Sequence, residues 1–526
     1  MTLRLRPIHI ALLLALGCAS AQAGDLVQAY DLARQSDPQL AGSEASKRAQ
    51  EEGIGISRSA LLPQISATAD LSKSHGSSSS ISQHLDSNKN IVFGPTTGSS
   101  DTTTRSYTLN LQQSIYDHSN YTRLKASRSR AAQSDALYDS AADTLITRVA
   151  QAYFNVLSAI QDLASSRAQE RALKRQLDQA NVRLQVGLAP ITDAQEAKAQ
   201  YDISRAATIG FETALADARE ALTEITGQPI DRLKGLASDF APTAPTPEDV
   251  DAWVKKAVDQ NPQIRAQQLA LDAANHDVDT ARAGHLPTLA FNASYGDRAQ
   301  WGGFSVSGVP VQIPATSASD GPTYSLILQV PIFSGFAVSG RMRQALATRD
   351  AAADTLEQTR RSIVRQARNA YNATLGGLSA IAARKQALLS AQTALEATQT
   401  GLEVGTRTIV DVLINQQQLF SAQRDYARAR NNFVVNGLLL RQAAGEIHAD
   451  DLSAVNALLV SDAEAALDQP ADASDAAMPG LPGQPAKASE AGTTDHAAAV
   501  PAKPVKKHKK KKHAQPSVPA TDAPKT

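Results

Sequence analysis

The sequence predicts an α+β membrane protein made from a duplicated unit, with four amphipathic β-strands and two very long helical hairpins per chain. Three observations predict it. Motifs recur at a nearly constant distance: Asp37-Pro38-Gln39-Leu40 returns as Asn261-Pro262-Gln263-Ile264, 224 positions on, and Val186-Gly187 with Ile191-Thr192-Asp193 returns as Val404-Gly405 with Ile409-Val410-Asp411, 218 positions on. So steady a register marks an internal repeat. Each half also holds two stretches in which apolar and polar residues alternate, the period of a strand with one apolar face. Finally, each half holds a run of about 65 residues with few or no helix breakers.

The N-terminus comes first. Arg4 and Arg6 precede an apolar run from Ile8 to Leu16, and a small-residue stretch closes in Ala21-Gln22-Ala23. That is a secretory signal over 1–23, with cleavage before Gly24. The single cysteine, Cys18, lies inside it in a poor lipobox, so the mature chain has no thiol for a disulfide or a metal. No apolar run approaches the ~20 residues of a spanning helix. Strands in a closed barrel are the remaining way across a membrane.

Residues 24–227 form the first repeat. A helix over 39–60 ends before Pro63, because proline disfavours helix in the residue preceding it. Ile65, Ala67, Ala69 and Leu71 then alternate with Ser66, Thr68, Asp70 and Ser72. The Ser/Gly/Thr-rich stretch from His75 to Thr104 reads as a long exposed loop. Tyr107, Leu109, Leu111 and Ile115 mark a second strand. A helix from about 120 to 185 carries apolar residues at Leu145, Val149, Ala152, Val156 and Ile160, spaced for one face. A tight turn, Gly187 to Ile191, leads to a return helix ending near Gly227, and Thr192 with Gln195 reads as a capping pair.

A linker, 228–248, precedes the second repeat, 249–447, whose strands are marked by Leu289, Phe291, Ala293 and Tyr295 and by Tyr324, Leu326, Leu328 and Val330. An exposed loop is expected at about 300–320, a long helix over about 338–404, and a cap at Thr408 with Asp411. Residues 448–469 form a C-terminal segment with a last helical element over about 450–467. The Pro/Ala/Lys-rich tail, 470–526, with nine lysines against five acids, reads as disordered.

Geometry limits what such a chain can be. Helices of that length run about 100 Å. Four strands cannot close a barrel, and an open sheet in lipid leaves its edges unpaired. Two copies give eight strands around a filled interior; three give twelve, wide enough for a channel. A homotrimer is therefore expected. Charge is balanced, 52 basic against 52 acidic residues, and the body, mildly acidic once the signal and the lysine-rich tail are set aside, gives no reason to expect nucleic-acid binding. There is no HExxH, P-loop or G-x-S-x-G pattern, and the ten histidines are scattered. No enzyme, cofactor or metal is expected. The alternative is a non-pore periplasmic coiled-coil adaptor or scaffold, which would keep the helices but has no use for the strands.

The run Val404-Gly405-Thr406-Arg407-Thr408-Ile409-Val410-Asp411-Val412-Leu413, with Val186-Gly187-Leu188, Ala152-Tyr153-Phe154-Asn155-Val156-Leu157 and Gly284-His285-Leu286-Pro287-Thr288, resembles the TolC family of outer-membrane efflux channels over roughly residues 25–460. The resemblance implies a homotrimer with a twelve-stranded barrel in outer-membrane lipid and a helical barrel crossing the periplasm. It implies docking to a periplasmic adaptor (membrane fusion) protein and an inner-membrane RND or ABC transporter, for efflux or type I secretion. It also implies an entrance held shut between helical hairpins, with Asp193 and Arg407 as a link and Asp411 as a carboxylate ring. Two positions depart from the family pattern: Leu402 stands where a linking tyrosine would be, and Ile414 where a second ring aspartate would be. Apart from the resemblance, Asp193 and Asp411 read as acids favoured at helix N-termini.

Overall fold

The structure, a computed structural model, describes residues 24–467 except 86, 238, 307–312 and 315. The signal segment 1–23 and the tail 470–526 lie outside the described residues. In chain order the elements are α1 (Leu26–Ser36), α2 (Pro38–Ser59), β1 (Gln64–Leu85), β2 (Ile91–Tyr116), α3 (His118–Gln185), α4 (Ile191–Thr226), β3 (Lys234–Leu236), α5 (Val250–Gln260) and α6 (Pro262–Ala283). There follow β4 (Thr288–Val306), β5 (Ile313–Pro314), β6 (Ser317–Gln329), α7 (Ala337–Glu403), α8 (Ile409–Ala444), α9 (Ala449–Asn456), β7 (Leu459–Asp462) and a 3-10 turn, Ala463–Ala466.

The repeat is visible in how its helices start. Asp37 caps α2 by accepting from the Leu40 N–H at 2.9 Å, and Pro38 fills the first helical position, where a missing N–H costs nothing. Asn261 and Pro262 do the same for α6, with the Asn261 carboxamide accepting from Gln263 N–H at 2.9 Å. Asp37 is buried, and Arg148 on α3 satisfies both its oxygens, at 3.2 and 3.0 Å.

The long strands form one antiparallel sheet, β1-β2-β4-β6, with β5 pairing beside β4 further out. Strand β2 of the first half pairs with β4 of the second from Gly98 to Tyr116, with one bulge between Ser114 and Tyr116. Its apolar face is bare: Ile65 is 66% exposed, Leu71 72% and Leu326 65%. A face of that kind needs lipid against it. Among the described residues no helix is long and apolar enough to cross a membrane.

Two expected loops are largely strand. Instead of opening at His75, β1 runs on to Leu85 and β2 begins at Ile91, in unbroken register from Gln64↔Gln112 to Leu85↔Ile91. Likewise β4 continues to Val306 and β6 starts at Ser317. Ser, Thr and Gly dominate these segments and large apolar residues are sparse (Ile81, Ile91, Phe93, Trp301 and Phe304), so side-chain alternation carries little signal there, and backbone pairing extends the ladder. About 9–11 residues suffice to cross lipid, so the 22 and 26 residues of β1 and β2 project well beyond it.

Helices α3 and α7 run for 68 and 67 residues. The main core lies around the middle of α3, where Tyr153, Phe154, Leu157 and Ile160 pack with Leu26 of α1 and with Leu233, Ile447 and Leu452. The segment 228–248 is more than a linker, because β3 within it pairs with β7. That pairing also corrects the expected helix over 450–467: helix α9 stops at Asn456, and Leu459 is drawn into the core beside Leu236.

Candidate functional site: the two hairpin tips

Both tips are built by the same backbone device. The α3 helix ends at Val186, Gly187 takes φ +75°, and the Leu188 N–H reaches back to the Arg183 carbonyl at 2.8 Å. The α7 helix ends at Val404, Gly405 takes φ +79°, and the Thr406 N–H reaches the Gly401 carbonyl at 2.8 Å. Left-handed backbone at that position favours glycine, and the returning N–H satisfies a helix-end carbonyl.

The chain then turns into α4 or α8 by different means. Thr408 caps α8 in a reciprocal box. Asp411 N–H donates to the Thr408 hydroxyl at 3.3 Å, while the Thr408 N–H and hydroxyl donate to Asp411 Oδ2 at 3.0 and 2.9 Å. Those bonds, with a smaller contribution from Arg407, hold the exposed Asp411 carboxyl below the usual carboxylate range. The box expected at Thr192 and Gln195 does not form. The capping position of α4 is Pro190, which has no hydroxyl to offer, and Thr192 instead lies inside the helix with its hydroxyl 3.4 Å from Asp193 Oδ1.

Arg407 folds back over the end of its own hairpin. A Cβ built on Gly401 would lie 2.7 Å from Arg407 Cγ, so glycine there makes the room in which the arginine stem lies. Among the described residues no ion pair joins Asp193 and Arg407 within the protomer. The tips meet instead through apolar side chains: Ile409 and Leu413 of α8 pack with Leu173, Leu177 and Ala180 of α3 and Ala194 and Ala197 of α4. Sequence reading missed this seam. Its signal was present, since Ile409 and Leu413 are four apart at the start of a helix. Around the seam, Leu188 (79% exposed), Val404 and Ile414 leave an apolar rim. Among the described residues no group of three or more His, Cys, Asp or Glu is placed to hold a metal.

Comparison with known proteins adds the following. A family model described as outer membrane efflux protein matches residues 29–228 and 253–446. "Outer membrane protein TolC" of Escherichia coli (strain K12) is 36% identical over 456 residues, covering 86% of this chain and 88% of that one. The protein of the same name from Vibrio cholerae is 33% identical, covering 86% and 98%. "Proteases secretion protein PrtF" of Dickeya chrysanthemi is 28% identical, covering 86% and 94%. Among solved structures, CusC superposes with a TM-score of 0.65 at 18% identity, covering 80% of this chain and 92% of its own. The open state of the Neisseria gonorrhoeae MtrE outer membrane channel gives 0.61 at 20% identity, covering 80% and 89%. At that identity the structural likeness shows the fold.

Proposed function

This chain belongs to the outer membrane efflux protein family, and on that premise we propose that three copies close one barrel and one gated duct. The protein is an outer-membrane exit duct for efflux and type I secretion, with its helical part in the periplasm. Its relatives are channel proteins rather than enzymes.

The observation that carries the trimer is the sheet. It is open, its apolar face is bare, and its edge strands β1 and β6 each pair on one side only within the protomer among the described residues. Lipid supplies no hydrogen bonds to an unpaired edge. Pairing β6 of one copy with β1 of the next removes every edge, and three copies give the smallest closed ring with an open lumen. The apolar rim at the tips then faces the periplasmic adaptor, behind which stands an RND or ABC transporter in the inner membrane. Asp193 and Arg407 form the link that holds the entrance shut, reaching between hairpins or between protomers, and Asp411 is the carboxylate ring of the constriction. Native mass spectrometry of the detergent-purified full chain tests the assembly. Three copies are expected; a stable monomer or dimer that retains full β-content overturns it.

A further inference from the structure

Directly below the strands, the helices carry basic residues that the gate and the barrel do not use. The first thirteen residues of α3, His118–Arg130, include Arg123, Lys125, Arg128 and Arg130 and no acid. The first thirteen of α7, Ala337–Arg349, include Arg341, Arg343 and Arg349 and no acid. Three of these cations are occupied: Arg130 pairs with Asp277 at 2.5 Å, Arg349 with Asp350 at 2.5 Å, and Arg123 donates to Asn120 at 3.0 Å. Lys125, Arg128, Arg341 and Arg343 are exposed and have no partner among the described residues.

The same level carries exposed aromatics. Tyr116 ends β2 and Phe333 follows β6, at corresponding places in the two halves, and both are exposed. Tyr121, Lys125 and Arg128 share one stripe of α3 at i, i+4 and i+7. Aromatic side chains at strand ends mark the edge of the hydrocarbon. Arg341 and Arg343 start about 6 and 9 Å along α7 and Lys125 and Arg128 about 10 and 15 Å along α3, from where their long side chains can reach toward the headgroups of the periplasmic leaflet.

There is also a cavity at that level. It has a volume of about 470 Å³ and lies between the starts of α3 and α7, lined by Arg123 and Arg341, by Thr280 of α6 and Gly284 just after it, and by Gln329 at the end of β6. Its two acids are engaged elsewhere: Asp117 accepts from Ser119 N–H and hydroxyl at 2.9 and 2.7 Å, and Asp277 accepts from Arg130.

We propose that this collar is a binding site for anionic phospholipid of the periplasmic leaflet, with Arg341 holding the headgroup phosphate in the cavity and Lys125, Arg128 and Arg343 completing the basic surface. The function would be to set the depth of the duct in the bilayer, where loss of a cation near an anionic surface weakens association about fivefold. The site rests on the barrel closing as proposed above, and trimer content, read in the same spectra, separates failure of that reading from failure of this one.

The test uses the full chain reconstituted in an equimolar mixture of phosphatidylglycerol and phosphatidylethanolamine, then released into detergent for native mass spectrometry of retained lipid. Wild-type trimers are expected to keep phosphatidylglycerol over phosphatidylethanolamine by at least about tenfold. Combined Lys125→Gln, Arg128→Gln, Arg341→Gln and Arg343→Gln is expected to bring retention to parity. Lysine at the three arginine positions is expected to preserve it. Should the fourfold variant not assemble, Arg341→Gln alone is expected to lose about fivefold. Equal retention of both lipids by wild type overturns the proposal. So does unchanged retention in the glutamine variants together with altered ion selectivity of the pore, since the cations would then face the lumen. Displacement of the lipid by inorganic phosphate at comparable concentration also overturns it, in favour of a free-anion site.

Discussion

Position for position, Val186-Gly187-Leu188-Ala189-Pro190-Ile191-Thr192-Asp193 at the first tip stands against Val404-Gly405-Thr406-Arg407-Thr408-Ile409-Val410-Asp411 at the second. The valine, the glycine, the isoleucine and the aspartate are shared, and so is the backbone path. The rest has diverged in a connected way. Where the first tip has Arg183 on the helix and Ala189 in the turn, the second has Gly401 on the helix and Arg407 in the turn. The second tip has thus moved its cation to the turn and cleared a place for its stem. Where the first has Pro190, the second has Thr408, whose hydroxyl engages Asp411. One aspartate is therefore engaged in a reciprocal cap, while its twin Asp193 accepts, among the described residues, only a long bond from the neighbouring Thr192 hydroxyl, at 3.4 Å. Duplication supplied two scaffolds with the same backbone path, and a few side chains set them apart.

The largest effect should come from breaking that division. If Arg407 and Asp193 link the hairpins, Arg407→Ser or Asp193→Ala should raise single-channel conductance in planar bilayers. Exposed pairs contribute about 0–1 kcal/mol each, so three symmetric copies bias closure by up to on the order of a hundredfold. Unchanged conductance in both variants, with trimers intact, would leave them as helix-end charges. Asp411→Ala should instead relieve block by trivalent cations from the periplasmic side, with conductance in their absence nearly unaltered.

A subtler change sharpens the point. Gly401→Ala keeps the arginine but places a methyl group 2.7 Å from its Cγ, which forces the stem out of position. Its conductance should rise part of the way, about tenfold in open population. Arg183→Ala at the equivalent place on the first tip should do nothing, and an equal response from both would erase the asymmetry.

The caps can be exchanged. Thr408→Ala removes the hydroxyl that a cap needs, so amides in the first turn of α8 should exchange hydrogen about fivefold faster. Pro190→Thr should build a box with Asp193 and slow exchange at the start of α4 by a similar factor. Hydrogen exchange read by mass spectrometry checks both, and no gain in the proline variant would show that the α4 turn cannot adopt the capping geometry.

The smallest effect is pH dependence of the same cap. Folding lowers the Asp411 pKa, so its stabilisation is present above the ordinary carboxylate pKa of about 3.9 and is lost as pH falls through the lower folded value. Protection of the first turn of α8 should fade below about pH 4, while the start of α4 shows no matching loss. Parallel loss at both tips would place the titration elsewhere.

The sequence by itself determined the duplication, the two long hairpins, the four alternating strands and the residues at the tips, because each is written in a local period or a fixed offset. Glycine placed the boundaries well: Gly187, Gly227 and Gly405 all take left-handed backbone at a helix end. Only the tertiary structure decided the rest. It carried β1 and β2 through a Ser/Thr/Gly-rich stretch whose few apolar residues, Ile81, Ile91 and Phe93, are too sparse to mark a strand, because there backbone pairing with the partner strand extends the ladder. It ended α9 early so that β7 could pair with β3, some 220 residues away. It gave the first tip a bare proline at the capping position, two residues before the threonine expected to cap, and it joined the tips through Ile409 and Leu413 rather than through charge. Contacts of that kind depend on which surfaces two distant helices bring together, and no local pattern records them.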